Sequence, residues 1–298
     1  MSKKIIFKGA ATALVTPMKE GRIDYNALDF IINKQRDAGI SALVVGGTTG
    51  EAATLSYKER VELYKFARDR WMRGKLILGI GTNDTRTALE YTRLAAEVGC
   101  DGTLAVTPYY NKGTYRGVVE HYKALAREAD IPLILYNVPS RTGVNLTLSQ
   151  LEELAKEENI VAIKEASDSV DRLTELRKFG KDLHLYAGND SQIFATLALG
   201  GLGVISVISN LFPKRIEKTC RLFFEKNYAE SMKIQLELFD FIRLMFKETN
   251  PTPIKYAMSL VGLCTPEVRL PLAMPEEKTM QEIREALSAI QKRLQIDF

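Results

Sequence analysis

Histidine and cysteine are scarce in this 298-residue chain, and their scarcity removes most common catalytic designs. Two histidines, His121 and His184, are too few for most His-rich metal sites and fit His-centred triads poorly. Three cysteines, Cys100, Cys220 and Cys264, lie far apart and are odd in number, so they form neither a disulfide framework nor a zinc site. Proton transfers in any active site then fall to Tyr, Lys, Asp, Glu or groups of the substrate. With 20 glycines and 10 prolines, collagen-like and low-complexity readings drop out. Neither sign of charge dominates. The 41 basic and 37 acidic residues leave a net +4, too weak and too mixed to argue for nucleic acid, although a slight positive excess suits small anionic substrates. At the N-terminus, Lys8 interrupts the apolar stretch too soon for a signal-peptide core of about 7–15 residues. The one long uncharged run, 191–213, contains Gly200, Gly201, Gly203, Ser206, Ser209 and Asn210. It reads as a buried helix followed by a buried strand rather than a membrane span. The expectation is a soluble cytoplasmic protein.

What the chain does have is one repeated theme: a short apolar β-branched run followed by a longer amphipathic segment. The runs are Ala11–Thr16, Ala42–Val45, Leu76–Ile80, Thr103–Val106, Pro132–Asn137, Ile160–Lys164, Leu183–Ala187 and Val204–Val207. Continuous rather than alternating apolar runs mark strands buried on both faces. The segments between them carry helix signals. Asp24 precedes a periodic stretch, and Ser56 with Glu59 and Thr147 with Gln150 have capping-box spacing; Gly39 and Gly99 stand where helices should stop. Eight strand–helix units predict an α/β fold, a (β/α)8 TIM barrel, which needs about 200–250 residues. An open doubly wound sheet is the competing reading. It usually has fewer strands, and the nearest dinucleotide fingerprint, Gly79-Ile80-Gly81-Thr82-Asn83-Asp84, lacks its third glycine. Past residue 225 the strand signal ends. Met280, Ile283, Leu287, Ile290 and Leu294 form one helical stripe, and Asn250-Pro-Thr-Pro253 breaks the helical tail. The expected division is 1–225 for the barrel carrying the active site and 226–298 for a helical extension packed on it.

Barrel active sites lie at the C-terminal ends of the strands, so polar residues there are the candidates. The second run leads into Gly46-Gly47-Thr48-Thr49-Gly50-Glu51, whose glycines and hydroxyls can hold a carboxylate, or simply make a tight capped turn. The fourth leads into Thr107-Pro108-Tyr109-Tyr110-Asn111, where a tyrosine pair equally suits interface packing. The fifth ends in Tyr136-Asn137 with Arg141 beyond, a proton carrier and a bidentate carboxylate partner, or a buried Tyr and a surface Arg. The sixth ends in Lys164 after four apolar residues. A free lysine has a pKa of ~10.4, and apolar burial disfavours the cation, freeing an amine able to form a Schiff base; the alternative is a lysine that snorkels to the rim. Asp168 and Asp190 fall near the same end without metal-ligand spacing. His121 reads as a surface residue of a polar helix, and His184 starts its strand at the opposite end. Together the strand ends suit Schiff-base chemistry on an anionic keto acid.

At these residues the chain resembles a known family. GGTTGEAATLS, TPYYN, YNVPSRTG, IKEASDS and GNDS, in this order and joined by NPTPIKYAM and VRLPL in the helical tail, are similar to the 4-hydroxy-tetrahydrodipicolinate synthase (formerly dihydrodipicolinate synthase) family of pyruvate-dependent class I aldolases. The resemblance implies a lyase of the diaminopimelate route to lysine that condenses pyruvate with L-aspartate 4-semialdehyde. It implies a homotetramer built as a dimer of dimers, with no metal or organic cofactor. Carried over by position, Lys164 forms the pyruvate Schiff base and Tyr136 is the proton donor and acceptor. Thr48 and Tyr110 complete a proton relay, Tyr110 coming from the neighbouring subunit. Thr49 and the backbone at Ile205 hold pyruvate, and Arg141 receives the semialdehyde carboxylate. N-acetylneuraminate lyases and keto-deoxy sugar acid aldolases share the lysine and tyrosines; Thr48-Thr49 and above all Arg141 favour the synthase. A pyruvate sensor without turnover would have no use for the relay. Many relatives bind lysine as a feedback inhibitor at the tight-dimer interface. Here Asn83 and Tyr109 match that pattern, but Tyr57, Arg60 and Thr87 replace its histidines and glutamate. Lysine binding is expected to be weak or absent.

Overall fold

A computed structural model describes residues 2–295. Eight parallel strands close into a barrel: β1 (Gly9–Ala13), β4 (Ala42–Val45), β5 (Lys75–Gly79), β6 (Gly102–Val106), β7 (Leu133–Asn137), β8 (Ile160–Glu165), β9 (His184–Ala187) and β10 (Gly203–Ser206). Closure is made by β1, which pairs with both β4 and β10. The two remaining strands, β2 (Met18–Lys19) and β3 (Arg22–Ile23), form a small antiparallel hairpin after β1.

The eight apolar runs correspond to the eight barrel strands, because each strand has two buried faces. Ala11, Ala42, Val44, Ile77, Ile134 and Ile205 fill the barrel interior, while Leu43, Leu76, Leu78, Leu135 and Ile163 pack outward beneath the helices. The first strand begins at Gly9, two residues before the expected Ala11, and ends at Ala13; Leu14 to Thr16 are buried loop. The helix signals also hold. Asp24 caps Tyr25–Asp37, and complete capping boxes open Tyr57–Arg70 at Ser56 and Leu148–Leu154 at Thr147. Gly99 ends Thr85–Val98 in the left-handed conformation.

His121 corrects the reading that made it a surface residue: it is buried in the helix Tyr115–Glu128. Its polar neighbours Glu120 and Lys123 point elsewhere. Val118 three residues before and Leu125 four after share its face, so helical periodicity places it inward. Burial pushes its imidazole down to about 4, and Nδ1 lies 2.9 Å from the Thr85 hydroxyl.

After the last barrel strand come the helices Pro213–Phe224, Tyr228–Leu244, Thr252–Leu260 and Glu277–Leu294. The last buries Ile283, Leu287 and Ile290, three members of the expected stripe. Among the described residues, no helix is long and apolar enough to cross a membrane. The 191–213 run forms a short helix, Ile193–Ala198, and then β10.

Candidate active site

Register brings the two central side chains together. Tyr136 on β7 stands opposite Lys164 on β8, so both side chains leave the sheet on the same face. Ala162 lies in the barrel interior, and Lys164, two residues on, also points inward. The Lys164 Nζ sits 4.2 Å from the centroid of the Tyr136 ring, and the two residues are 4% and 7% exposed. Lys164 faces Tyr186 on its other side, across β9. Tyr186 stacks on Phe7 at 4.3 Å and donates to the Phe7 carbonyl at 2.7 Å, closing the barrel beneath the site. Glu165 leaves the strand on the opposite face. Its carboxylate accepts from Asn137 Nδ2 at 3.0 Å and from the Ser167 N–H at 2.9 Å, with Arg172 3.5 Å away. These ties lock the tops of β7 and β8 and hold the tyrosine and lysine in fixed relation.

The loop after β4 arches over the barrel. Gly46 has φ +67°, and a Cβ there would meet the Tyr64 hydroxyl at 2.5 Å, so glycine is required. The turn is closed by the Gly50 N–H donating to the Gly47 carbonyl at 3.1 Å, and by the Thr16 hydroxyl donating to the Gly50 carbonyl at 2.7 Å. Thr48 is half-buried, whereas Thr49 is buried. Thr48 lines a cavity of about 360 Å³ with Tyr136, Tyr109 and Arg141. Thr49, Lys164, Tyr136 and Arg141 line the wider mouth, a cavity of about 1230 Å³.

Arg141 is exposed at the rim and belongs to both cavities; its Nη2 donates to the Asn250 carbonyl at 3.0 Å. Ile205 is fully buried in β10, opposite Ala11. The chain just past it is anchored by Asp190, whose Oδ2 accepts from the Val207 and Ile208 N–H groups at 2.8 and 3.1 Å. Burial pushes the Asp190 carboxyl up, opposed by the Ser206 hydroxyl, these two amides and the charge of Lys164. Asp168 also lines the mouth. Tyr110 differs from the rest: it is 89% exposed, has φ +70°, and lines neither cavity. His184 sits at the other end of the barrel, 3.0 Å from the Lys3 carbonyl.

Two groups of the site stand in the NPTPIKYAM stretch of the tail, where the sequence assigns them no role. Asn250 is buried and its Nδ2 donates to the Thr49 hydroxyl at 3.0 Å. Lys255 is fully buried, 2.6 Å from Glu51 Oε1 and 3.0 Å from the Thr16 carbonyl; the Arg269 N–H occupies the other Glu51 oxygen at 2.9 Å. Both reach back from the helical tail across some two hundred residues of chain, so no local pattern marks them. Their one sequence signal is the Asn-Pro-Thr-Pro break, which turns the tail over the barrel mouth.

In the smaller cavity, Arg60 is buried with its guanidinium 4.1 Å from the Tyr91 ring. It donates to the carbonyls of Ala52 and Gly79 at 2.8 and 3.0 Å and to the Tyr64 hydroxyl at 2.7 Å.

The model of the dihydrodipicolinate synthetase family matches residues 6–290. A 4-hydroxy-tetrahydrodipicolinate synthase of Clostridium novyi is 44% identical over 289 residues, 96% of this chain and 98% of that protein. The synthase of Aquifex aeolicus is 42% identical over 285 residues, 95% and 97% of the two chains. A crystal structure of the dihydrodipicolinate synthase from Aquifex aeolicus superposes with a TM-score of 0.93 at 41% identity, covering 98% of this chain and 99% of that one. The corresponding Thermotoga maritima structure gives 0.92 at 37% identity, over 96% and 99%.

Proposed function

Because the chain belongs to the dihydrodipicolinate synthetase family, we propose that it condenses pyruvate with L-aspartate 4-semialdehyde through a Schiff base on Lys164, giving 4-hydroxy-tetrahydrodipicolinate for lysine and diaminopimelate synthesis. The observation that carries the residue assignment is the buried Lys164 amine over the Tyr136 ring at the C-terminal mouth of the barrel.

Once it has given up its proton, the Lys164 amine attacks the keto carbon of pyruvate, and water leaves as the imine forms. Tyr136 carries protons at this carbon and at the methyl group, whose deprotonation gives the enamine nucleophile. The enamine adds to the aldehyde of the second substrate. Its amino group then displaces Lys164, closing the ring and regenerating the enzyme. Thr49 and the backbone at Ile205 receive pyruvate, and Arg141 at the rim receives the semialdehyde carboxylate in charge-assisted hydrogen bonds. Thr48 extends the relay from Tyr136. Tyr110 completes it from a neighbouring subunit within a homotetramer, a reading supported by its exposure and its place outside its own chain's cavities. The tail from residue 226 to 295 forms an extension of the barrel of 2–225, a division supported by the contacts of Asn250 and Lys255 with the loop 49–51; residues 1 and 296–298 of the expected division lie outside the described residues. Lysine feedback is weak or absent, because the Arg60 guanidinium lines the cavity that includes Tyr109 and repels an ammonium.

A coupled assay tests the reaction. Turnover is expected with pyruvate plus L-aspartate 4-semialdehyde and not in cleavage of N-acetylneuraminate; the reverse pattern would assign a sugar-acid lyase.

A further inference from the structure

A hydroxyl has one proton to give and two lone pairs to receive with. Which way the Thr49 hydroxyl points therefore depends on what already occupies its oxygen. Asn250 Nδ2 donates to that oxygen at 3.0 Å, in a position where both residues are buried. Among the described residues no protein acceptor takes the Thr49 proton, and Asn250 Oδ1 has no hydrogen-bond partner. Both residues line the mouth cavity with Lys164. The same Asn250 accepts, through its carbonyl, from Arg141 Nη2 at 3.0 Å. Its segment is pinned by Lys255, whose amine is buried against Glu51 at 2.6 Å in the same loop as Thr49.

We propose that Asn250 is a positioning residue that polarises the site toward carboxylates. By filling an acceptor position of Thr49, its amide turns the threonine proton into the mouth, where it meets a carboxylate oxygen. Its carbonyl meanwhile fixes the guanidinium of Arg141 a short reach away. One residue thus turns the Thr49 hydroxyl into a donor and holds the Arg141 guanidinium in place, and this favours keto acids over neutral carbonyl compounds. This inference rests on pyruvate being the first substrate.

The substitution Asn250→Asp tests it at nearly constant shape. A carboxylate cannot donate, so it takes the Thr49 proton and leaves that oxygen's lone pairs facing the ligand. The readout is borohydride trapping of the lysine imine against pyruvate concentration, followed by mass spectrometry. We expect the half-saturating pyruvate concentration to rise at least tenfold in Asn250→Asp, while the adduct still forms fully at saturation. In a Thr49→Val background the same substitution should change it less than about twofold, and in Thr49→Ser the tenfold loss should return, because a hydroxyl is again present. Equal half-saturation in wild type and Asn250→Asp would overturn the proposal. So would an equal loss in the wild-type and Thr49→Val backgrounds, which would assign the effect to charge alone. A wild-type protein that traps no pyruvate would instead overturn the reaction assignment itself.

Discussion

Lys164 and Tyr136 owe their meeting to strand register rather than to sequence proximity. Neighbouring parallel strands put residues of equal height on the same face, and Tyr136 stands opposite Lys164. The tyrosine's role can be separated from the lysine's. Tyr136→Phe keeps the ring beneath the amine and removes only the hydroxyl proposed to carry protons. It should lower kcat by roughly 10²- to 10³-fold, measured in steady state, while pyruvate is still trapped on Lys164. Retained turnover would move the proton chemistry elsewhere. At this scale the site residues on strand ends were legible, since an apolar run ending in Lys164 or Tyr136-Asn137 marks a barrel mouth. The roles of Asn250 and Lys255 were not, although both stand in the NPTPIKYAM stretch. Their partners Thr49 and Glu51 are 201 and 204 residues away, and only the closed fold brings them together.

Among the elements, the loop Gly46–Glu51 depends on a charge pair that water does not reach. Lys255 and Glu51 are both fully buried at 2.6 Å, each with a further hydrogen bond to the backbone. Removing one partner strands the other, so Lys255→Met should cost about 3–5 kcal/mol, visible as a lower Tm. Replacing both residues with apolar ones should recover much of that loss. A second element carries a pH signature. His121 is held neutral by burial, with its pKa lowered from 6.5 to about 4. Between these values the unfolded chain binds the extra proton, so stability falls as pH drops from about 6.5 toward 4. The full difference is about 3 kcal/mol. His121→Gln should flatten this part of the stability–pH curve in chemical denaturation, and an unchanged slope would count against it. The barrel strands were legible because burial on both faces leaves continuous apolar runs. The hairpin Met18–Lys19 and Arg22–Ile23 was not, as two residues per strand leave no periodicity to read. The inward His121 was hidden by the charge of Glu120 and Lys123 beside it, although Val118 and Leu125 marked its face.

In the whole molecule the mouth proposed for the chemistry lies at one end of the barrel, with Asn250 of the tail among its lining. The tail closes over the loop after β4, so the barrel and the extension share the site's support. Scarcity of histidine and cysteine accords with the chemistry proposed for Lys164 and the tyrosines. The cavity that includes Tyr109 is lined by the buried Arg60 cation, stacked on Tyr91 at 4.1 Å, which opposes an ammonium ligand. Turnover should therefore continue undiminished at submillimolar lysine, and half-inhibition below one millimolar would refute this.

Everything proposed for the reaction turns on one buried lysine, Lys164, forming the covalent intermediate. Borohydride reduction in the presence of pyruvate, followed by proteolysis and mass spectrometry, tests it most directly. One pyruvate-dependent adduct is expected, on the peptide containing Lys164, and it should be lost in Lys164→Ala. No adduct, or an adduct on another lysine that persists in Lys164→Ala, would contradict it.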